Sequence, residues 1–176
     1  LVTGASDGIG AEFVEILAGR GYDLILVARR EEKLNELAVR LSDEFGVECT
    51  VMAADLSEPK AAQNLYQRIE DRGLQVNFLI NNAGLLHNGF FAKLSLEAQE
   101  KMIQVNVIAL TALTHLYAAK MSSNGGGHIL NVASLAGWMA IPNQNVYAAS
   151  KAYVVSFSQA LSNEMIAANS GVQVTA

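Results

Sequence analysis

The stretch Leu1-Val2-Thr3-Gly4-Ala5-Ser6-Asp7-Gly8-Ile9-Gly10-Ala11 decides the fold. A short apolar lead runs into a turn holding three glycines. Apolar residues then recur at helical spacing over Ala11–Arg20, at Phe13, Ile16 and Leu17, and Gly21 supplies the stop. That is a strand, a tight turn and a helix. Gly4 suits the tight turn, Gly8 lets backbone approach a phosphate closely, and Gly10 lets helix and strand pack together. The helix start offers free N–H groups and the positive end of its dipole to an anion such as a pyrophosphate. The spacing Gly-x-x-x-Gly-x-Gly differs from the commoner Gly-x-Gly-x-x-Gly, and alone it also reads as an ordinary glycine-rich connection.

Strand and helix signals alternate from there onward. Leu24–Ala28 is a near-continuous apolar run, the mark of a parallel strand covered on both faces. Glu31–Glu44 carries Leu34, Leu37 and Leu41 on one helical stripe, and Val47–Ala54 reads as strand. Pro59 suits the first turn of the next helix, with Ser57 as its cap. That helix carries Leu65, Tyr66 and Ile69 and stops at Gly73. Val76–Ile80 is a strand, followed by the loop Asn81–Lys93, rich in glycine and asparagine. Ser95–Ser122 reads as one long helix with an incomplete capping box, since Ala98 stands where an acid would complete it. The turn Gly125-Gly126-Gly127 leads into a strand at His128–Ala133. A second long helix spans Val146–Asn169, and Val172–Thr175 opens a last strand. No repeat or linker interrupts the series. The pattern predicts a single α/β domain over residues 1–176, a doubly wound parallel sheet with strand order 3-2-1-4-5-6. The first strand is short against a usual length of about five to six residues, and the last has barely begun. Both ends therefore read as cut, with flanking residues expected.

The bulk properties narrow the function. The chain of 176 residues is 51% hydrophobic, enough for a substantial core, and carries a net charge of −5. No long basic run appears, so the electrostatic footprint of a nucleic-acid or anionic-membrane binder is missing. The longest uncharged stretches, Met102–Ala119 and Ile129–Ser150, contain Gln104, Asn106, His115, Asn131 and Pro142, and neither reads as a lipid-spanning helix. Cys49 is the one cysteine; no internal disulfide is possible, which suggests a reducing, cytoplasmic setting and a buried structural thiol. His87, His115 and His128 have no ligand spacing around them, so no metal site is expected.

The sequence resembles the short-chain dehydrogenase/reductase family. The matching pieces stand in order along nearly the whole chain: Thr3–Gly10, Asp55-Leu56, Asn81-Asn82-Ala83-Gly84, Asn106, Ser134, and Tyr147-Ala148-Ala149-Ser150-Lys151. The resemblance implies a Rossmann-type fold and hydride transfer between a nicotinamide cofactor and a carbonyl or alcohol. It also implies catalytic roles for four residues. Tyr147 is the acid/base, Ser134 orients the substrate oxygen, Lys151 also holds the nicotinamide ribose, and Asn106 supports a water relay to that lysine. The residues themselves make chemical sense of this. Tyr147 and Lys151 are one turn apart on a helix face. A free tyrosine, with a pKa near 10, is a poor base at neutral pH, and a nearby ammonium favours phenolate. A serine at a strand end on the ligand side of such a sheet can donate to an oxygen that is gaining charge. Taken singly, Tyr-x-x-x-Lys is a common helix surface pattern, Asn106 is a helix hydrogen-bonder and Ser134 is a strand-end cap.

Cofactor residues follow from the same resemblance: Gly4, Ser6, Asp7, Gly8, Ile9 and Gly10 in the turn, Asp55 and Leu56 beside the adenine, and Asn82, Ala83 and Gly84 against the cofactor ribose, with Asn81 tying the sheet to its neighbours. After the second strand an acid suits NAD and a basic residue suits the 2′-phosphate of NADP. Here Arg29 and Arg30 precede the first acid, Glu31, which favours NADP over NAD, with Arg29 as the reader. Asp7 adds no attraction for phosphate. Leu85, Leu86, Phe90 and Phe91 either line an apolar pocket or cover the sheet, and Trp138, Met139 and Ile141 are expected on the substrate side. His87 reads as a solvated loop residue. The resemblance implies a homodimer or homotetramer built through the long helices. Two rivals stay open: a sugar-nucleotide epimerase or dehydratase, against which the glycine spacing speaks, and a non-enzymatic dinucleotide sensor, which commonly lacks the tyrosine.

Overall fold

A computed structural model describes residues 1–176. Six parallel strands form one sheet in the order β3-β2-β1-β4-β5-β6, as the alternation predicted. The strands are β1 (Val2–Thr3), β2 (Leu24–Ala28), β3 (Cys49–Ala53), β4 (Phe78–Asn81), β5 (Gly127–Asn131) and β6 (Val172–Thr175). The helices are α1 (Gly8–Ala18), α2 (Glu31–Phe45), α3 (Ala61–Glu70), α4 (Leu96–Ile103), α5 (Leu110–Ser123) and α6 (Asn145–Ala167). Register is regular: Leu26 pairs with Val2 and Val51, and Asn81 pairs with Asn131.

Side chains of a strand alternate between faces, so the apolar run of β2 serves two cores at once. Leu24 and Leu26 join Val14, Leu34 and Leu41 of α1 and α2 on one face. Ile25 and Val27 join Leu65, Ile69, Leu113 and Tyr117 of α3 and α5 on the other. At the sheet edge β6 shows the opposite pattern, with Val172 and Val174 buried and Gln173 and Thr175 exposed.

Several local expectations are corrected. The buried stripe of α1 is Gly10, Val14, Leu17 and Ala18, while Ile16 is exposed. Pro59 lies ahead of α3 rather than in its first turn, and Ser57 turns back to Asp55 instead of capping the helix. Ser95 does cap α4, accepting from Ala98 N at 3.2 Å. The long helix that follows is not uniform: Gln104–Ala109 is a π-helical segment between α4 and α5. The composite helix Leu96–Ser123 has the length and composition of a membrane span, with a mean hydropathy of 1.4 over 18 residues, contrary to the sequence reading. Half of that window is buried in the fold, where Leu113, Tyr117 and Met121 pack under the sheet. Cys49 is only half-buried, and burial pushes its thiol pKa up.

Candidate active site

In a doubly wound sheet, ligands bind beyond the carboxyl ends of the strands, where the strand order reverses. Here that point lies between β1 and β4, and a cleft of about 350 Å³ opens there. Gly4, Ser6, Asp7, Ile9, Arg29, Asp55, Leu56, Asn82, Ala83 and Gly84, all expected at the cofactor, line it. Gly8 and Gly10 do not; they shape it from behind. Gly4 has φ +68°, a left-handed conformation suited to glycine. A Cβ on Gly10 would run into the Gly4 carbonyl oxygen and come within 2.5 Å of Asn82 Nδ2, so α1 packs against the turn only because that atom is missing.

The turn is tied to β4 by a residue the sequence reading passed over. Thr3 Oγ1 accepts from the backbone N–H groups of Asn82 and Ala83, both at 3.0 Å, and donates to Ile80 O at 3.3 Å. Asn82 Nδ2 donates back to Thr3 O at 3.0 Å and Gly4 O at 3.3 Å. The Asn82 side chain is therefore a clasp between the two loops as well as a cleft wall. A hydroxyl ending an otherwise apolar strand was the available signal for Thr3. Asn81 bridges to Thr114 Oγ1 at 3.0 Å and Asn131 Oδ1 at 2.9 Å, so it ties β4 to α5 and β5.

At the other end of the cleft, charge is arranged asymmetrically. Asp7 precedes α1 without capping it, because its carboxylate is paired with Arg30 and with Lys33 at 3.2 Å. Arg30 also donates to Ser6 Oγ at 3.3 Å. Arg29 has no ion-pair partner and stands near Asp55. Burial opposes charge on Asp55, but two hydrogen bonds from Ser57 and the Arg29 and Lys101 charges hold its carboxyl below the usual range. Both Ser57 bonds fall on Oδ1, leaving Oδ2 without a protein partner.

Tyr147 and Lys151 stand on the first turns of α6, with Lys151 Nζ 5.9 Å from the Tyr147 ring centroid. Lys151 is 5% exposed, and its ammonium donates to Val132 O at 2.6 Å. Burial lowers its pKa to about 8. Ser134 lies beyond β5, where it caps a short 3-10 turn, Leu135–Trp138, by accepting from Ala136 N at 3.1 Å. Because its oxygen is the acceptor there, its own O–H stays free to donate. Asn106 sits within the π-helical segment, buried. It clasps the backbone of Leu85, accepting from N at 2.8 Å and donating to O at 2.9 Å, and donates to Ser150 Oγ at 3.0 Å. A Cβ on Gly84 would stand 3.5 Å from Asn106 Oδ1 and 3.7 Å from Lys151 Nζ, which places all three together. Ser150 was part of the quoted motif but had been given no role.

The apolar candidates are less gathered. Leu86, Phe90 and Phe91 are exposed. Met139 and Ile141 border a trough against Ala148, Ala149 and Ala152 that includes neither Ser134 nor Tyr147. Trp138 reaches both this trough and one that contains Ser134.

A model of the short chain dehydrogenase family matches residues 1–176. The chain belongs to this family. Among its relatives is a very-long-chain 3-oxoacyl-CoA reductase of Phaeosphaeria nodorum, 38% identical over 94% of this chain and 50% of that protein. The structure superimposes on a short-chain dehydrogenase from Sphingobium yanoikuyae in complex with NADPH, with TM-score 0.92 and 38% identity over 99% of this chain and 67% of that one. It likewise matches the bulky-bulky ketone specific alcohol dehydrogenase from Comamonas testosteroni, with TM-score 0.91 and 35% identity over 99% of this chain and 68% of that one. This short-chain dehydrogenase chain spans about half the length of the curated 3-oxoacyl-CoA reductases that it matches.

Proposed function

We propose that the protein is an NADPH-dependent oxidoreductase that interconverts a carbonyl and an alcohol, with Tyr147 as its acid/base. One observation carries the reading: a buried lysine, anchored to the backbone beside the Ser134 turn, lies against the ring of Tyr147 at the mouth of the cleft. The residues fit a nicotinamide dinucleotide. An uncapped helix start and close-packed glycine turn suit a pyrophosphate. Asp55 and Leu56 suit the adenine, and Asn82, Ala83 and Gly84 the ribose. The free guanidinium of Arg29, with Ser6 and Arg30 nearby, suits a 2′-phosphate. The Sphingobium relative is in complex with NADPH, which supports the same choice.

When bound, the cofactor supplies or accepts the hydride. The chain handles the proton. Ser134 donates a hydrogen bond to the substrate oxygen and holds it near Tyr147. In the reducing direction the Tyr147 phenol gives its proton to that oxygen as negative charge develops. The Lys151 ammonium stabilises the charge left on the phenol oxygen, and its position is fixed by the Val132 carbonyl. Asn106 holds the Leu85 backbone and α6 together behind this group. A second copy of the chain is proposed to cover the exposed Ile103 and Ile108 of the composite helix.

The test is NADPH oxidation by the full-length protein against a panel of ketones and acyl thioesters, with Tyr147→Phe alongside. Turnover should vanish in the variant while cofactor affinity is kept. Retained activity removes Tyr147 from the mechanism, and cofactor binding without turnover across the panel favours a sensor.

A further inference from the structure

The Ser134 turn meets α6 at two places, and Lys151 provides both. At the entrance to the turn, Lys151 Nζ holds the Val132 carbonyl at 2.6 Å. At its far end, Gly137 lies directly on the Lys151 backbone. A Cβ added to Gly137 would stand 2.8 Å from the carbonyl carbon and oxygen of Lys151 and 3.1 Å from Ala152 N. These are main-chain atoms inside a helix, so they cannot swing aside as a side-chain tip would. Gly137 is not among the glycines with positive φ. Backbone freedom is therefore not what glycine supplies there; close approach is. Between the two contacts the turn is braced internally. Ser134 Oγ accepts from Ala136 N at 3.1 Å, and Ser134 O accepts from Gly137 N at 2.9 Å. Lifting Gly137 off the helix therefore carries Ser134 with it.

We infer that Gly137 is a positioning residue whose missing side chain sets the separation between the Ser134 hydroxyl and the Tyr147–Lys151 pair. The inference rests on the proposed role of Ser134 at the substrate oxygen. Gly137 touches no reacting atom; it acts through Ser134. Its glycine is as much a part of the site as the hydroxyl it places, since a displacement near 1 Å in such a group costs on the order of 100-fold in rate.

The experiment is a double-mutant cycle in the full-length protein with Gly137→Ala, Ser134→Ala and the pair, measuring kcat, KM and the dissociation constant for NADPH. Gly137→Ala should lower kcat by on the order of 100-fold and leave cofactor affinity unchanged. In the Ser134→Ala background it should cost nothing further, because the hydroxyl it displaces is already gone. An undiminished kcat in Gly137→Ala overturns the inference. So does a loss repeated in full when Ser134 is absent, which is the signature of general damage to the fold. Wild-type turnover in Ser134→Ala alone removes Ser134 from the chemistry, and that single variant separates failure of the proposed role from failure of the glycine's. Should Gly137→Ala fold poorly, Leu135→Gly slackens the same turn at a position that is 82% exposed. It should lower kcat only when Ser134 is present, and an unchanged kcat counts against the inference.

Discussion

Asn106 and Ser150 are joined across two helices: Asn106 Nδ2 donates to Ser150 Oγ at 3.0 Å, and Ser150 passes its own proton to the Tyr147 carbonyl at 2.7 Å. The π-helical segment and the first turns of α6 are thus coupled by buried polar groups that have no water to fall back on. Ser150→Ala should destabilise the fold by about 1–3 kcal/mol, the cost of stranding one buried donor. Asn106→Ala removes the Leu85 clasp as well and should cost more. Urea denaturation of the two variants checks the order; equal stabilities would show that Ser150 contributes nothing through Asn106.

Burial lowers the Lys151 pKa from 10.5 to about 8. The unfolded chain therefore keeps this proton between about pH 8 and about pH 10.5, where the folded chain has released it. Stability from this group rises with pH across that window, because the cost of burying the charge is relieved; below about pH 8 both states are protonated and the full cost is present. The unfolding free energy of the native chain minus that of Lys151→Met should rise over this window. A flat or falling difference would mean that Lys151 is not desolvated as the structure has it.

Arg29 lacks an ion-pair partner, whereas Arg30 is already engaged by Asp7. Arg29→Ala should raise the dissociation constant for NADPH far more than for NADH, and Arg30→Ala should do so less. Fluorescence titration with both cofactors gives the comparison. Affinities for the two cofactors that stay equal before and after Arg29→Ala would refute the choice of NADPH.

Gly10→Ala places a Cβ against the Gly4 carbonyl. Neither neighbour is a flexible tip, so α1 must move away from β1. We expect the variant to lose cofactor binding and to melt at lower temperature than the native chain. Thermal melts with and without NADPH test this, and a normal ligand-induced rise in Tm would show that the turn tolerates the atom.

Strand order and most element positions were legible because β2, α2 and α6 carry patterns that burial alone dictates. Leu24–Ala28 is matched residue for residue. Edges moved where a local bond outcompeted propensity. Ser57 prefers the Asp55 carboxylate to a helix start, which left Pro59 outside α3. The Asn106 environment was not legible at all. A π-helical segment has no compositional mark, and the Leu85 backbone that Asn106 grips is far away in sequence. Gly137 escaped notice for a similar reason: nothing near it in the chain shows that a helix backbone lies within contact distance.

The π-helical segment Gln104–Ala109 also sets a phase. Its wider turns shift the angular position of everything that follows. Upstream, Met102 and Asn106 are aimed for the site and its supports; downstream, Leu113, Tyr117 and Met121 are aimed at the core. Removing one residue here would restore an ordinary helix but rotate the whole of α5 by about 100°, turning the core residues towards solvent. The segment works as an angular coupling between chemistry and stability, and it makes this stretch the least tolerant in the chain to a single-residue deletion.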